Sequence, residues 1–185
     1  RDVLGSRGLG DVYKRQSMER RRLAKTGMLR SAHMLGNEEE IIFAATDLLA
    51  DTKLAPELSN EAHYYRAKAY LDAGKTDGAM EDLKVLAKDT RNVYGAEAKY
   101  KVAQIYFDGG QTDKAEQEVL NYIEVSTPHT YWLARSFVLL ADVYMKLGRN
   151  LDAKQYLLSL KQNYQADDDI AGMIESRLEK LKTEN

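Results

Sequence analysis

Small, aromatic and glycine positions recur along this chain in the order Ala-x2-Tyr-x3-Gly-x4-Ala, three times over. The tyrosines of successive copies lie 36 and then 38 residues apart. A period in the middle thirties is typical of helical repeat arrays, in which each unit buries its apolar face against its neighbours. The pattern therefore predicts an all-α fold. The three copies comprise Ala67, Tyr70, Gly74 and Ala79; Ala103, Tyr106, Gly110 and Ala115; and Ala141, Tyr144, Gly148 and Ala153.

The residues on both sides of each glycine have the spacing of an amphipathic helix. Each glycine stands where the chain must reverse, and glycine takes the left-handed backbone of a helix C-terminus at little cost. Each copy is therefore predicted to be a helix-turn-helix hairpin. The repeated alanines let the paired helices approach closely, and the tyrosines are predicted to supply large buried rings with one polar end. In the third copy the apolar helix faces comprise Ala134, Phe137, Leu140, Ala141 and Tyr144, then Ala153, Leu157 and Leu160.

These residues resemble the tetratricopeptide repeat, whose unit of about 34 residues carries L-G-x2-Y in its first helix and A-x3-F in its second. In the middle copy the first signature reads Val102-Ala103 followed by Tyr106, with alanine in place of glycine. The second signature reads Ala115 followed four residues later by Val119. The periods are longer than 34, which places the chain among divergent members. The tryptophan expected early in the first helix is replaced in the three copies by His63, Lys99 and Phe137.

A degenerate unit precedes the three copies, and one more amphipathic helix follows them. Gly36 lies 38 residues before Gly74, with Ala32 in place of the repeat tyrosine. The resemblance implies a right-handed α-solenoid of antiparallel helix pairs, and the only prolines, Pro56 and Pro128, are expected in connections between repeats. The predicted boundaries are about 22–59, 60–95, 96–133 and 134–167 for the repeats, and 168–183 for a C-terminal capping helix.

The first sixteen residues, RDVLGSRGLGDVYKRQ, do not follow the repeat pattern. They contain three glycines and show no helical face, so residues 1–16 are predicted to be a disordered, non-native segment derived from an adaptor or cloning sequence. The alternative is a native flexible loop. Residues 17–185 are predicted to form the repeat domain. If the segment is foreign, its deletion should leave the thermal melt of that domain unaltered.

Composition excludes several classes of function. The formal net charge is −2, and becomes −4 without residues 1–16, which contribute four basic and two acidic residues. This mild negative charge argues against a nucleic-acid surface. There is no cysteine for a disulfide or a thiolate metal site, and the longest apolar run, Ile41 to Ala45, is too short to span a bilayer.

Residues suited to catalysis or metal binding are sparse. None of His33, His63 and His129 has a partner at a metal-ligand spacing such as H-E-x-x-H. The acidic runs 38–40 and 167–169 are interpreted as charges that complement helix N-termini. The sequence therefore predicts no enzyme activity, no metal and no cofactor.

A candidate binding surface comes from two aromatic residues of the first helices. Tyr64 and Tyr100 each lie six residues before a repeat tyrosine, at the position that lines the concave groove in tetratricopeptide proteins. One helical turn later stand Lys68 and Gln104, and each pair shares a face. The alternative is that both tyrosines only pack against neighbouring helices. The predicted partner-binding residues on the concave face are Arg30, Tyr64, Lys68, Tyr100, Gln104 and Asp142.

Residues 22–183 resemble the C-terminal part of long bacterial tetratricopeptide proteins related to envelope repeat lipoproteins. This resemblance implies a place in the cell envelope, with the cytoplasm as the alternative. The Lys and Asn clamp by which some family members hold a partner's C-terminal carboxylate is absent. The predicted function is a non-catalytic scaffold that binds a peptide or a partner helix. The alternative is a structural spacer within a longer solenoid, which self-associates and has no peptide ligand.

Overall fold

The computed structural model describes residues 3–183, with side chains from residue 11 onward, and this range is helical without strands. The chain divides into two compact units, Arg1–Asp82 and Leu83–Asn185. The helices of the described range are α1 Val3–Leu35, α2 Glu38–Leu49, α3 Pro56–Asp72, α4 Thr76–Leu86, α5 Val93–Asp108, α6 Thr112–Ile123, α7 Thr130–Lys146, α8 Asn150–Asn163 and α9 Ile170–Thr183.

The four glycines that end the first helices of the repeats all take the predicted left-handed backbone. Their φ angles are 66° at Gly36, 70° at Gly74, 73° at Gly110 and 71° at Gly148. In each turn the amide after the glycine donates to a carbonyl five residues earlier, which is the Schellman arrangement. The accepting carbonyls belong to Ala32 and to the three repeat tyrosines. The Tyr-x3-Gly spacing is therefore the spacing of a helix stop signal.

The first unit contains a core formed by α1, α2 and α3. Helix α2 is capped at its start by Asn37, whose side chain accepts a hydrogen bond from the amide of Glu40. Helix α3 starts at Pro56, so this proline lies in the helix and not in the predicted connection. The first helical turn tolerates proline because the amide at that position has no intrahelical partner. The buried apolar residues are Leu29, Ala32, Ile41, Ala44, Ala45, Leu48, Ala62 and Ala69.

The second unit contains the helix pairs α5–α6 and α7–α8, followed by α9. Helix α7 packs against α5, α6, α8 and α9, and it is buried on two sides. Tyr144 is buried in this core, whereas Tyr106, like Tyr70 of the first unit, is only half-buried. The prediction that all three repeat tyrosines are buried is therefore wrong for two of them, which remain partly exposed. The repeat alanines Ala115 and Ala153 are fully buried between paired helices.

Replacing Ala115 with leucine should destabilise the second unit by about 1–3 kcal/mol, because the added atoms have no space in a fully buried site. Thermal and urea denaturation followed by circular dichroism would measure the loss. Ala171→Leu is the matched control, since Ala171 is exposed on α9 and should change the midpoint little. Equal midpoints for the two variants would contradict the packing described here.

Helix α1 continues through most of the segment for which the sequence predicts disorder. The backbone is helical from Val3 to Leu35. The segment contains no proline, and its Arg, Lys, Gln and Leu residues favour helix, so the helix can extend backward from the packed part of α1. The side chains of residues 11–21 are exposed, so none of them belongs to the core. The prediction of disorder is corrected for the described residues, and the non-native origin of 1–16 stays a prediction.

Candidate protein-binding surface

In the first unit, the structure places two of the predicted binding residues on α3 and one on α1. Arg30 of α1 forms a bidentate ion pair with Glu61 of α3, with N···O distances of 2.7 and 2.8 Å. Hydrogen bonding from Arg30 lowers the pKa of the Glu61 carboxyl. Tyr64 is half-buried, and the exposed Lys68 places its Nζ 5.8 Å from the centre of the Tyr64 ring. The structure thus brings Tyr64 and Lys68 together as predicted, and it uses Arg30 to join two first helices.

In the second unit, Tyr100 is a core residue. Only 6 % of its surface is exposed, so the prediction that it is an accessible anchor is wrong and the packing alternative is correct. Its hydroxyl donates to Oε1 of Gln104 at 2.8 Å, and Gln104 donates to Asp108 at 2.8 Å. Tyr100 is buried because α7 lies against α5 at this position and covers the ring with Trp132.

Asp142, the third predicted residue of this unit, is held by the C-terminal helix. Arg177 of α9 donates to its two carboxylate oxygens at 2.8 and 2.7 Å. This pair parallels that of Arg30 and Glu61, because each joins the first helix of a repeat to the helix two further along, α1 to α3 and α7 to α9. Asp142 therefore has a structural role, since its carboxylate links α7 to α9.

A cluster that the sequence analysis did not select lies between α5, α7 and the start of α9. We call Tyr100, Tyr131, Trp132 and Arg135 the Arg135 cluster. The guanidinium of Arg135 lies 5.1 Å from the ring centre of Tyr100 and 5.8 Å from that of Tyr131. It donates to the Tyr131 hydroxyl at 3.0 Å and to the Tyr100 hydroxyl at 3.3 Å. Cation–π contacts and hydrogen bonds thus hold this arginine in place.

The charge of Arg135 meets a single carboxylate among the described residues. Its NH1 donates to Oδ2 of Asp169 at 3.2 Å, and the Asp169 side chain is 49 % exposed. Burial by itself would lower the pKa of Arg135, but the hydrogen bonds from its guanidinium to Tyr131 and Tyr100 raise it. Its Nε is buried without a hydrogen-bond partner in the described part of the chain. Arg135 is therefore a permanent cation whose single ionic contact is weaker than the bidentate ion pairs of Arg30 and Arg177.

Aromatic side chains surround this cation. Tyr131 and Trp132 are half-buried, and their rings meet edge to face with centres 5.0 Å apart. Nearby, the hydroxyl of Tyr164 donates to Asp168 at 2.6 Å, and burial together with this carboxylate raises the pKa of Tyr164 to about 12. The surface therefore combines one cation, partly exposed aromatic rings and a phenol that keeps its proton at neutral pH.

The sequence contains a signal that points to this cluster. Tyr131 and Arg135 lie one helical turn apart, and Trp132 is the only tryptophan of the chain. The repeat equivalents of Tyr64 and Lys68 direct attention to Val138 and Asp142 instead, about two turns further along α7. Only the packing of α7 against α5 shows that Arg135 reaches Tyr100, which lies 35 residues earlier.

The histidines lie in structural contacts. His33 stacks on Tyr65 with ring centres 3.9 Å apart, and His63 pairs with Asp82 at 2.7 Å. His129 lies 3.1 Å from the carbonyl oxygen of Arg91. Within residues 3–183, no three acidic or histidine side chains are grouped as a metal site would require. No helix of the described range combines the length and the apolar character needed to cross a bilayer.

Comparison with known proteins supports the repeat assignment. Two family models, both described as tetratricopeptide repeat, match residues 61–89 and 134–162. No curated protein matches the chain. These comparisons do not test the resemblance to envelope proteins, which stays a prediction.

Solved structures of similar fold also contain repeats of this kind. Two of them are described as the nearly identical TPR-like repeats of a kinesin light chain from Podosopora anserina, one being a variant form. Their TM-scores are 0.55 and 0.53 at 16 % sequence identity, and the matches cover 88 % of this chain and 93 and 94 % of theirs. At this identity the likeness shows the fold, and it confirms the predicted all-α, TPR-like class. The two family matches show that the chain contains tetratricopeptide repeats, in agreement with its four glycine turns.

Proposed function

We propose that the chain is a non-catalytic binding module that holds a segment of a partner protein, and that the Arg135 cluster receives an acidic side chain of that segment. Tetratricopeptide repeats are in general protein–protein interaction modules. The observation that carries the proposal is the state of Arg135, a permanent cation fixed among aromatic rings with one exposed, monodentate carboxylate as its ionic partner.

A partner carboxylate can take the place of Asp169. The Arg135–Asp169 contact is a single hydrogen bond at 3.2 Å to a side chain that is half in solvent, so it contributes little to stability. Because Tyr100 and Tyr131 already orient the guanidinium, a ligand loses little free energy in ordering it. Charge-assisted hydrogen bonds to arginine are among the strongest polar contacts available to a protein surface.

The aromatic neighbours supply the apolar part of the same surface. Half-buried Tyr131 and Trp132 offer partly exposed rings at low conformational cost, and residues of these types dominate binding energy in many interfaces. A suitable partner segment thus has an acidic residue beside an apolar or aromatic one. Tyr100 acts behind this surface by positioning Arg135, and Gln104 in turn fixes the Tyr100 hydroxyl.

Tyr64 and Lys68 form a separate candidate in the first unit. Their side chains share a face of α3, with Lys68 exposed above the Tyr64 ring. We retain both as proposed partner contacts. Arg30 and Asp142 are proposed to act indirectly, through the ion pairs that join first helices.

A selection from random linear peptides displayed on phage would test the proposal. Peptides selected on the wild-type chain should be enriched in Asp or Glu next to an aromatic or aliphatic residue. Arg135→Gln should weaken the selected peptides about tenfold to a hundredfold, because it removes a charged hydrogen-bond donor. Asp169→Asn should strengthen them, because it removes the competing carboxylate. Circular dichroism would establish that both variants remain folded.

Lys146→Gln is the matched control for the change in charge. Lys146 is an exposed cation near the other end of α7, with its Nζ 4.9 Å from the Phe107 ring. It should leave peptide affinity unchanged. Selection of basic peptides, or equal losses for the Lys146 and Arg135 variants, would reject the Arg135 cluster as the site. Failure to enrich any peptide would favour the spacer alternative.

A further inference from the structure

Helix α1 has an apolar face that is exposed on the side opposite its packed face. The side chains of Thr26 and Leu29 are buried against the rest of the first unit. Across the helix, Leu23 is 75 % exposed and Met28 is 56 % exposed. The exposed set, which we call the outer α1 face, comprises Leu23, Ala24, Gly27, Met28, Ser31 and Leu35.

The centre of the equivalent face of α7 is covered, whereas the equivalents of Leu23 and Leu35 are the half-buried Arg135 and the exposed Leu147. Gly36 and Gly148 end the two helices in the same way, so positions 112 residues apart correspond. Helix α7 packs against the preceding pair α5–α6, and the residues that correspond to Ala24, Gly27, Met28 and Ser31 are at most 2 % exposed. Those residues are Ser136, Leu139, Leu140 and Val143. The repeat architecture thus covers this face where a preceding element is present, and on α1 no described residue does so.

The shape of the outer α1 face suits a crossing helix. A Cβ atom added at Gly27 would have no atom within 4 Å, so the backbone is open to approach there. Small residues at the centre let another helix come close, and larger apolar residues on both sides can pack around it. Leu23 and Met28 lie on the two flanks of Gly27.

Charges at the two ends of this face are complementary to each other. Toward the start of α1, the exposed Lys14, Arg15, Arg20 and Arg21 form no ion pair with any described residue. Just beyond its end, Glu38, Glu39 and Glu40 are also exposed and also lack an ion pair within residues 3–183. A helix with the same charges that crosses in the opposite direction would place its basic end beside the acidic end of this face, and its acidic end beside the basic end.

From this combination we propose that a second copy of the chain covers the outer α1 face, with the two α1 helices antiparallel and crossing near Gly27. An isologous contact of this kind places the same residues on both sides of a two-fold axis. At 1.5 Å per residue, Arg20 lies about 10 Å before the crossing, and Leu35, the last residue of α1, lies about 12 Å beyond it. The acidic residues begin three positions after Leu35, so an arginine side chain of one copy extends toward the acidic turn of the other.

The expected dimer is weak. A single helix–helix crossing buries less area than the roughly 1,200–2,000 Å² of a stable protein interface. Association should therefore depend on concentration in the micromolar range and should weaken as salt screens the exposed charges. This dimer does not use the Arg135 cluster, so it can fail or succeed independently of the proposed peptide site.

Sedimentation equilibrium of the full chain would test the proposal. Wild type should show a monomer–dimer equilibrium, and Met28→Glu should raise the dissociation constant at least about tenfold by placing charges at the centre of the contact. Leu158→Glu is the matched control, since Leu158 is exposed on α8 and should change nothing. Arg20→Glu with Arg21→Glu should weaken the dimer, and adding Glu38→Lys with Glu39→Lys should restore it.

A wild-type chain that stays monomeric at every concentration would overturn the proposal. A helix pair other than that of a second copy would then be the element that packs on the outer α1 face. A dimer that Met28→Glu does not weaken would also overturn it, because the contact would then lie elsewhere. Circular dichroism of each variant would separate loss of association from loss of folding.

Discussion

Replacing Gly95 with alanine is expected to destabilise the second unit by about 3 kcal/mol or more. A Cβ atom at this position would lie 2.0 Å from the carbonyl oxygen of Asp89 and 2.7 Å from that of Leu86. Both obstacles are backbone atoms, which cannot rotate away as a side chain can. The start of α5 would have to move, and the hydrogen bond from the Gly95 amide to Asn92 at 2.8 Å would be lost with it.

Urea denaturation followed by circular dichroism would measure this effect, with Gly172→Ala as the matched control. A Cβ atom at Gly172 would meet nothing within 4 Å, and the residue lies in helix α9. Its replacement should stabilise the helix by about 0.5–1 kcal/mol, because alanine loses less backbone entropy than glycine. The two identical substitutions should therefore act in opposite directions. A Gly95 variant as stable as wild type would contradict the close approach of α5 to the preceding turn.

Replacing Asp82 with alanine is expected to cost about 3–4 kcal/mol in the first unit, because it breaks a buried ion pair and leaves Arg66 without its partner. The Asp82 side chain is 2 % exposed. It accepts hydrogen bonds from Arg66 at 2.8 and 2.7 Å, and its Oδ1 lies 2.7 Å from Nδ1 of His63. Glu81→Ala is the control, since Glu81 is the exposed neighbour on the same helix.

The same ion pair should make stability depend on pH. Burial opposes ionisation of Asp82, but the hydrogen bonds from Arg66 and His63 outweigh it and hold the pKa of Asp82 below its ordinary value of 3.8. The unfolded chain then binds more protons than the native chain in this range, so stability rises with pH there. The contribution of Asp82 is present above the ordinary pKa and is lost as the pH falls through the lowered native pKa.

Denaturation of wild type and Asp82→Asn at several pH values would isolate the contribution of Asp82 to the free energy of unfolding, because the other carboxyl groups are common to both proteins. The difference in stability should be constant near neutral pH and should shrink below about pH 4. A difference that stays constant down to pH 2 would show that folding does not lower the pKa of Asp82.

The repeat architecture could be predicted from the sequence because it rests on local rules. Glycine readily takes the left-handed backbone that ends a helix, so Gly36 and its three equivalents mark turns from local preference alone. Fully buried alanines such as Ala115 also recur at a fixed offset from these glycines. Helix starts were predicted several residues late, since α3 and α5 begin at Pro56 and Val93 whereas the predicted repeats begin at 60 and 96.

The candidate site depended on contacts that a repeat pattern does not contain. Tyr64 and Tyr100 occupy equivalent positions, yet one is half-buried and the other is in the core, because Trp132 of α7 covers Tyr100. Arg135 gains its role from Tyr100, which lies on another helix, and from Asp169, which follows α8. Sequence spacing within one helix predicts neither contact.

The most direct test of Arg135 as a partner-binding residue is a double-mutant cycle between Arg135 and the acidic residue of a selected peptide. Titration calorimetry would compare wild type and Arg135→Gln, each with the acidic peptide and with its amide counterpart. We expect a coupling energy between Arg135 and the peptide carboxylate of about 1.5 kcal/mol or more, as for other close charge pairs across interfaces. A coupling energy indistinguishable from zero, with both proteins folded, would contradict the assignment of Arg135 as the residue that holds the partner.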